Sequence, residues 1–327
     1  MIVVAEVGLV HNGSLSKALK SIDIAKEVGA DAVKFQTHIA ERETLINAPN
    51  PSYFKKESRF NYFKRTSFKL NDWIKIRKYT KKKKIKFFSS PFSIQAVDLL
   101  RKINVDAFKI ASGEITNHPL LERINNTKKE TFISSGMSNW TEISRAIKLL
   151  PKIKKKTLMQ CTSMYPCKLN NAGLNIINQM KKRYKIPVGF SDHTQGITAS
   201  LIATVLGADV IEKHITISNK MYGSDAFFSL EPKEFKQMIA MIKETSQILN
   251  NPVDKNNIKC FKGMKIVFEK SIVLNKDMLE GQKIKYEDLD FKKPGVGIRA
   301  DKIKKVIGKI LKKNIKKDSI LNYQDFK

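Results

Sequence analysis

Two histidines, His193 and His214, stand where two short apolar runs end, in the stretch PVGFSDHTQGITASLIATVLGADVIEKHIT from Pro187 to Thr216. The segment between the runs has helical spacing, so the stretch predicts strand, helix, strand. Parallel strands bring their C-terminal ends side by side, and two imidazoles delivered there can reach one divalent ion. For a single histidine the alternative is a local hydrogen bond at the strand end. Two of the chain's five histidines in matching positions favour the shared ion.

Other runs end on polar residues as well. Glu6 interrupts the first, Lys34 lies in VKFQTH and Lys109 in FKIASGE. An ammonium inside an apolar run is costly to bury unless an anion meets it. With Ser90, Ser112, Ser134 and Ser163 closing neighbouring runs, the two lysines predict a phosphate cradle, because hydroxyls and opened backbone amides donate to its oxygens. A buried Glu6 needs a paired cation, Lys34 or Lys109, or it acts as a base on water or a hydroxyl. Asp225, on the Gly-opened loop of YGSDAFFSLEP, suits substrate hydroxyls or a metal-bound water, and a turn-forming role fits its composition equally.

The elements that must position these groups are eight β-like runs at 2–7, 32–36, 85–89, 107–110, 131–134, 157–161, 188–191 and 209–213. Helical patterns follow at 15–28, 71–82, 93–102, 118–125, 141–150, 174–181, 195–206 and 232–249. This alternation predicts an α/β protein with a (β/α)8 barrel over residues 1–250, with its chemistry at the strand C-termini. An open doubly wound sheet fits less well, since no reversal of strand order is visible. The 40–69 segment, with Pro49, Pro51 and several aromatics, reads as an active-site loop or lid. Residues 251–267 are polar and lysine-rich and read as a linker. Residues 268–327 read as a small β-rich module that leans on another surface, a partner subunit being one candidate.

Composition narrows the class. No apolar run approaches a bilayer span and the N-terminus lacks the pattern of a signal peptide, so a cytoplasmic enzyme is expected. Cys161, Cys167 and Cys260 form no CxxC pair, which argues for reduced thiols. Lys plus Arg exceed Asp plus Glu by 61 to 31, a net charge of +30. The excess is dispersed and lacks interleaved aromatics, which argues against a nucleic-acid platform, although a positive field draws in anionic substrates.

The motifs GADAVKFQT, FSSPFS, FKIASGE, ISSGMS, CTSMYP, GFSDHT, GADVIEKHIT and GSDAFFSLEP, then KKPGVGI, occur in an order that resembles the sialic acid synthase family, with its legionaminate and pseudaminate synthase relatives. The resemblance covers nearly the whole chain. It implies a metal-dependent condensation of phosphoenolpyruvate with an N-acetylated mannose-type sugar, and a barrel followed by an antifreeze-like (SAF) domain that covers the partner's site in a swapped homodimer. By the same resemblance His193 and His214 would hold a divalent metal, manganese with magnesium or cobalt as alternatives. Lys34, Ser90, Lys109, Ser112, Ser134 and Ser191, with Ser163, would surround phosphoenolpyruvate. Glu6 would be the acid/base group, and Phe92, Tyr165 and Asp225 would meet the sugar.

Two motifs depart from the family pattern. Val10 stands in place of an asparagine before His11, and Lys293 replaces the arginine that would reach the sugar's N-acyl group, with Arg299 as a possible substitute. Lysine keeps the charge and loses the planar fork. Two other readings compete: a condensing enzyme acting on a phosphorylated aldose, and a basic binding or scaffold protein on a catalytically dead barrel.

Overall fold

The computed structural model describes residues 1–54 and 56–327, so Lys55, inside the 40–69 segment, lies outside the described residues. Eight parallel strands close into a barrel in sequence order: β1 Ile2–Gly8, β2 Ala32–Thr37, β3 Lys86–Pro91, β4 Ala107–Ile110, β5 Glu130–Ser134, β6 Lys156–Cys161, β7 Val188–Asp192 and β8 Val210–His214. Closure is made by β1 against β8, where Glu6 is opposite His214, and Glu6 is also opposite Lys34 on β2. The expected (β/α)8 barrel is therefore the fold, with strand ends shifted by one or two residues.

The strands are apolar on both faces because the barrel is covered outside and filled inside. Outside, Phe35, Phe87, Phe108 and Ile211 pack against helix residues such as Ile22, Trp73, Leu100 and Leu121, all buried. Inside, Val4, Ala32, Phe88, Ala107, Phe132, Met159 and Val210 form one apolar layer. Strand β7 brings Gly189 to that level, where a Cβ would lie 2.5 Å from Met159 Sδ and 2.6 Å from Val210 O. The plug is thus tight enough that β7 must contribute backbone alone.

Helix ends follow their cap residues: Ser93 accepts from Ala96 N at 3.2 Å, and Asn139 and Glu142 form a reciprocal capping box. The helix expected at 174–181 instead spans Ile176–Tyr184, after Asn171 accepts from Thr162 through its carbonyl and Gly173 turns the chain at φ +64°. The 40–69 segment is less loop-like than expected. It contains helices at Ala40–Glu43 and Arg59–Thr66, joined by a turn in which Asn50 bonds both Glu57 O at 2.6 Å and Arg59 N at 2.7 Å.

Contacts divide the chain into two units, Met1–Asn251 and Pro252–Lys327. The second has its own core of Ile272, Leu274, Ile284, Leu311 and Leu321. Its named strands are only β9 Ser271–Leu274 and β10 Leu289–Lys292, antiparallel, supplemented by isolated bridges such as Met278 with Ile315. The stretch expected as a linker over 251–267 contains helical turns at Lys259–Phe261 and Lys262–Phe268. Among the described residues no helix is long and apolar enough to cross a membrane.

Candidate active site

Side chains two positions apart on a strand share a face. The layer above the apolar plug is therefore Glu6, Lys34, Ser90, Lys109, Ser134, Cys161, Ser191 and Glu212, each two residues beyond a plug position. All of them line one cavity of about 590 Å³ at the C-terminal ends of the strands. Its upper wall carries Phe92, Ser112, Ser163, Tyr165, His193, His214 and Asp225, so every barrel residue singled out from sequence faces this space.

At the floor sits a matched set of charges. Lys34 Nζ lies 2.9 Å from Glu6 Oε2 and 3.0 Å from Glu212 Oε1, while Lys109 Nζ donates to both Glu212 oxygens at 2.8 and 2.9 Å. Ser191 Oγ adds a bond to Glu212 Oε1 at 3.0 Å. The lysines are therefore met by protein carboxylates: the expected pairing of Glu6 with a lysine is made by Lys34, and Glu212 is a further partner to both lysines. Burial opposes charge on both Lys34 and Glu212, yet their mutual attraction wins: Lys34 is held above and Glu212 below its ordinary range. For Lys109 burial wins and its pKa is lowered. Burial also outweighs Lys34 at Glu6, raising that carboxyl to about 7, and Glu6 Oε2 has no directed hydrogen bond despite the nearby ammonium.

The hydroxyl side of the cavity depends on Gly136. A Cβ there would overlap the hydroxyls of both Ser112 and Ser163, so only glycine lets β5's exit loop pass beneath them. Asp225, raised by burial, receives the Ser224 hydroxyl at 2.9 Å and its Oδ2 lies over Gly8.

The imidazoles of His193 and His214 lie 5.6 Å apart between ring centroids. His193 Nδ1 is 2.9 Å from Thr162 O, which fixes that nitrogen as the donor and leaves Nε2 bare. His214 Nδ1 is buried without a partner, and burial, then His193, holds its pKa well below the usual value, so the ring is neutral. At His193 burial opposes the charged form but Cys161 and the Thr162 carbonyl raise its pKa, so the ring must be in its neutral form to offer its Nε2 lone pair beside His214 to a divalent ion. No group of three or more His, Cys, Asp or Glu among the described residues could hold one alone, so further ligands would come from water or substrate.

Several lining residues were not singled out from sequence. Glu212 carries the same signal as Glu6, an acid inside an apolar strand. Gln36 donates to Glu6 Oε1 at 3.1 Å and Glu114 is raised by burial; both adjoin motif lysines. From the 40–69 segment come Glu43, Tyr53, Arg59, Tyr62 and Phe63. Tyr62 Oη reaches Ser224, tying that segment to the Asp225 loop. Val10 and His11 do not line the cavity: Val10 is core, and His11 stacks on Phe68 at 4.5 Å, its pKa lowered to about 3 by burial. Lys293 and Arg299 belong to the second unit, Lys293 lying 5.1 Å over Phe268 and Arg299 against Asp301 at 3.2 Å.

A family model described as the NeuB family matches residues 21–254, and one described as the SAF domain matches residues 269–327. The chain is 37% identical to an N,N'-diacetyllegionaminic acid synthase of Campylobacter jejuni over 98% of both chains, and 31% identical to a pseudaminic acid synthase of Helicobacter pylori over 99% of this chain and 97% of that one. Among solved structures, the N-acetylneuraminic acid (sialic acid) synthetase of Leptospira borgpetersenii, in complex with citrate, superposes with a TM-score of 0.71 at 31% identity, over 80% of this chain and 90% of that one.

Proposed function

The chain belongs to the NeuB family of sialic acid synthases and carries a SAF domain, and from that premise we propose that it condenses phosphoenolpyruvate with an N-acetylated hexose and water, giving a nonulosonic acid and phosphate. The observation that carries this is the pairing, in one cavity, of two buried lysines at the floor with two bare imidazoles on the wall.

Lys34 and Lys109, with the hydroxyls of Ser90, Ser112, Ser134, Ser163 and Ser191, hold the enol phosphate. His193 and His214 would hold a divalent metal, manganese with magnesium or cobalt as alternatives, which when bound supplies Lewis-acid polarisation of the sugar's aldehyde oxygen. Phe92, Tyr165 and Asp225 orient the open-chain sugar so that its carbonyl carbon faces the methylene carbon of phosphoenolpyruvate. The new C–C bond forms between those carbons, and water adds to C2. Glu6, which lines the cavity and whose carboxyl burial raises to about 7, takes one proton from that water and returns it to the former aldehyde oxygen, which ends as a hydroxyl. Collapse of the tetrahedral carbon then breaks the C2–O bond to phosphate, whose growing charge the lysines stabilise; the C2 hydroxyl proton leaves with the phosphate, and the keto group remains.

Following phosphate release and 2-keto acid formation with phosphoenolpyruvate, manganese and a panel of N-acetylated hexoses tests this reading. Absence of turnover with every sugar, joined to tight nucleic-acid binding, would favour the scaffold reading instead. A preference for phosphorylated aldoses would favour the other condensing reaction.

Glu6→Gln is expected to remove a titration near pH 7 from kcat/KM. In the wild type the rate rises through that pH as Glu6 loses its proton in the field of Lys34, Glu212 and Lys109. Stability moves the other way. The folded pKa lies above the ordinary 4.5, so Glu6 favours folding most below pH 4.5, and that contribution is lost as the pH rises to about 7. An unchanged pH–rate profile in the variant would remove Glu6 from this role.

The SAF domain is assigned to cover a second copy's cavity in a homodimer. The support is the domain match, and the exposed apolar side chains of Met264, Ile266, Val267 and Phe268 just before it, an unusual run for a lone surface. A chain cut to residues 1–251 is expected to sediment as a monomer and keep phosphoenolpyruvate binding while its turnover falls at least tenfold. Full turnover by the truncated chain would discard the assignment.

A further inference from the structure

Glu43 closes the short helix Ala40–Glu43 at the rim of the barrel, and its side chain is only 5% exposed. One oxygen is held: Oε1 lies 2.7 Å from His38 Nδ1. The His38 ring is itself clamped, stacked between Phe63 at 4.0 Å and Phe92 at 4.2 Å with both interplanar angles near 11°. Its Nε2 lies 3.2 Å from Gln36 Oε1, and Gln36 in turn donates to Glu6. The carboxylate therefore has one orientation, set by a stack and a hydrogen-bond chain that begins at Glu6.

The other oxygen has no partner. Glu43 Oε2 is buried, makes no hydrogen bond among the described residues and belongs to a side chain that lines the cavity. A buried carboxylate oxygen left this way costs about 1–3 kcal/mol, so the site calls for a donor from the ligand. Glu114 stands in the same part of the lining and repels Glu43, which excludes an anionic ligand group, and the Arg59 guanidinium on the same wall disfavours a cation. A neutral donor remains. A hydroxyl would turn acceptor lone pairs toward two carboxylates, whereas an amide N–H is a donor alone. Phe63 and Phe92, which clamp His38, also line the cavity and give apolar surface that suits an acyl methyl group.

Building on the proposed function, we propose that Glu43 is the specificity-determining residue that selects an acceptor sugar bearing a second acylamino group, accepting that group's N–H through Oε2, with His38 as its positioning residue. The lysine floor holds the enol phosphate, so the rim is the part of the cavity left to read the sugar's substituents.

The test uses the full chain with manganese, phosphoenolpyruvate and two hexoses that differ only in whether the second acetamido group is replaced by hydroxyl. The wild type is expected to favour the diacetamido sugar at least tenfold in kcat/KM. Glu43→Gln, which can still accept from His38, is expected to shrink that preference to about twofold by raising the diacetamido sugar's KM, with the KM for phosphoenolpyruvate unchanged. His38→Phe, which preserves the stack and frees the carboxylate, is expected to raise the same KM several-fold and serves if Glu43→Gln folds poorly. Wild-type preference retained in both variants, or a wild type that favours the hydroxyl sugar, overturns the inference while leaving the condensation standing. No turnover of either sugar by the wild type overturns the condensation reading itself.

Discussion

Lys109→Met is expected to lower kcat/KM for phosphoenolpyruvate at least a thousandfold. Methionine fills nearly the same space as the lysine stem, so packing around this 2% exposed side chain is kept. Charge is what changes. The floor of the cavity holds Lys34 and Lys109 against Glu212, which burial opposes but Lys109 and Lys34 keep ionised, and Glu6, which burial raises to about 7. Removing one ammonium leaves Glu6 and Glu212 sharing Lys34, and an incoming enol phosphate meets a floor with one positive charge fewer. At an effective dielectric of about 20, one unit charge at about 4 Å is worth roughly 4 kcal/mol, close to the factor of a thousand expected. The same change breaks a buried ion pair, which costs about 3–5 kcal/mol of stability. A double variant, Lys109→Met with Glu212→Gln, separates the two effects. It is expected to recover much of the lost thermal stability and none of the turnover. Turnover of the single variant within tenfold of wild type would remove Lys109 from the phosphate site.

That balance also marks where the sequence was readable and where it was not. Eight alternating units were legible because the strands are short apolar runs bounded by turns, and closure follows once no strand-order reversal is present. Lys34 and Lys109 were visible as charges in apolar surroundings. Their partner Glu212 carried the same signal in VIEKH, but the neighbouring His214 drew the functional reading, and Glu212 makes sense only once β8 is seen beside β1 and facing β4 across the barrel. The polar character of the cradle and the pairing of Glu6 with a lysine are legible in the strand-end residues, whereas the choice of Lys34 and the added share of Glu212 need distances.

The rim was harder for a different reason. Glu43, Tyr62 and Phe63 lie in a segment without period, and their convergence on the cavity depends on two short helices and on the Asn50 turn that joins them. Local sequence carries little information about such placement, because it is fixed by side-chain bonds to distant loops, such as Tyr62 to Ser224. Val10 and His11, where the sequence departs from the family pattern, lie away from the cavity. There the chain turns away from the strand end and His11 packs on Phe68.

His214→Ala is expected to abolish metal-dependent turnover, by a factor of a thousand or more, and to weaken manganese binding measured by calorimetry to the level of nonspecific sites. The argument rests on ligand number. Only two imidazoles face the shared point, and no third His, Cys, Asp or Glu among the described residues completes a set, so loss of one leaves a single protein ligand. The remaining ring is not reoriented by the change, because His193 Nδ1 is tied to Thr162 O and its ring packs on Tyr165 at 4.3 Å. Removing the imidazole also creates a gap beside Phe228, whose ring lies 5.0 Å away, and a buried aromatic neighbour of that kind makes a cost of about 1–3 kcal/mol reasonable. Stability and binding can therefore be read apart. His214→Gln refills much of the gap and is expected to restore the melting temperature without restoring metal affinity. The floor is untouched in both variants, so phosphoenolpyruvate should still protect them from thermal unfolding. A fully active His214→Ala enzyme, or one that binds manganese as the wild type does, would exclude these two rings as the metal site.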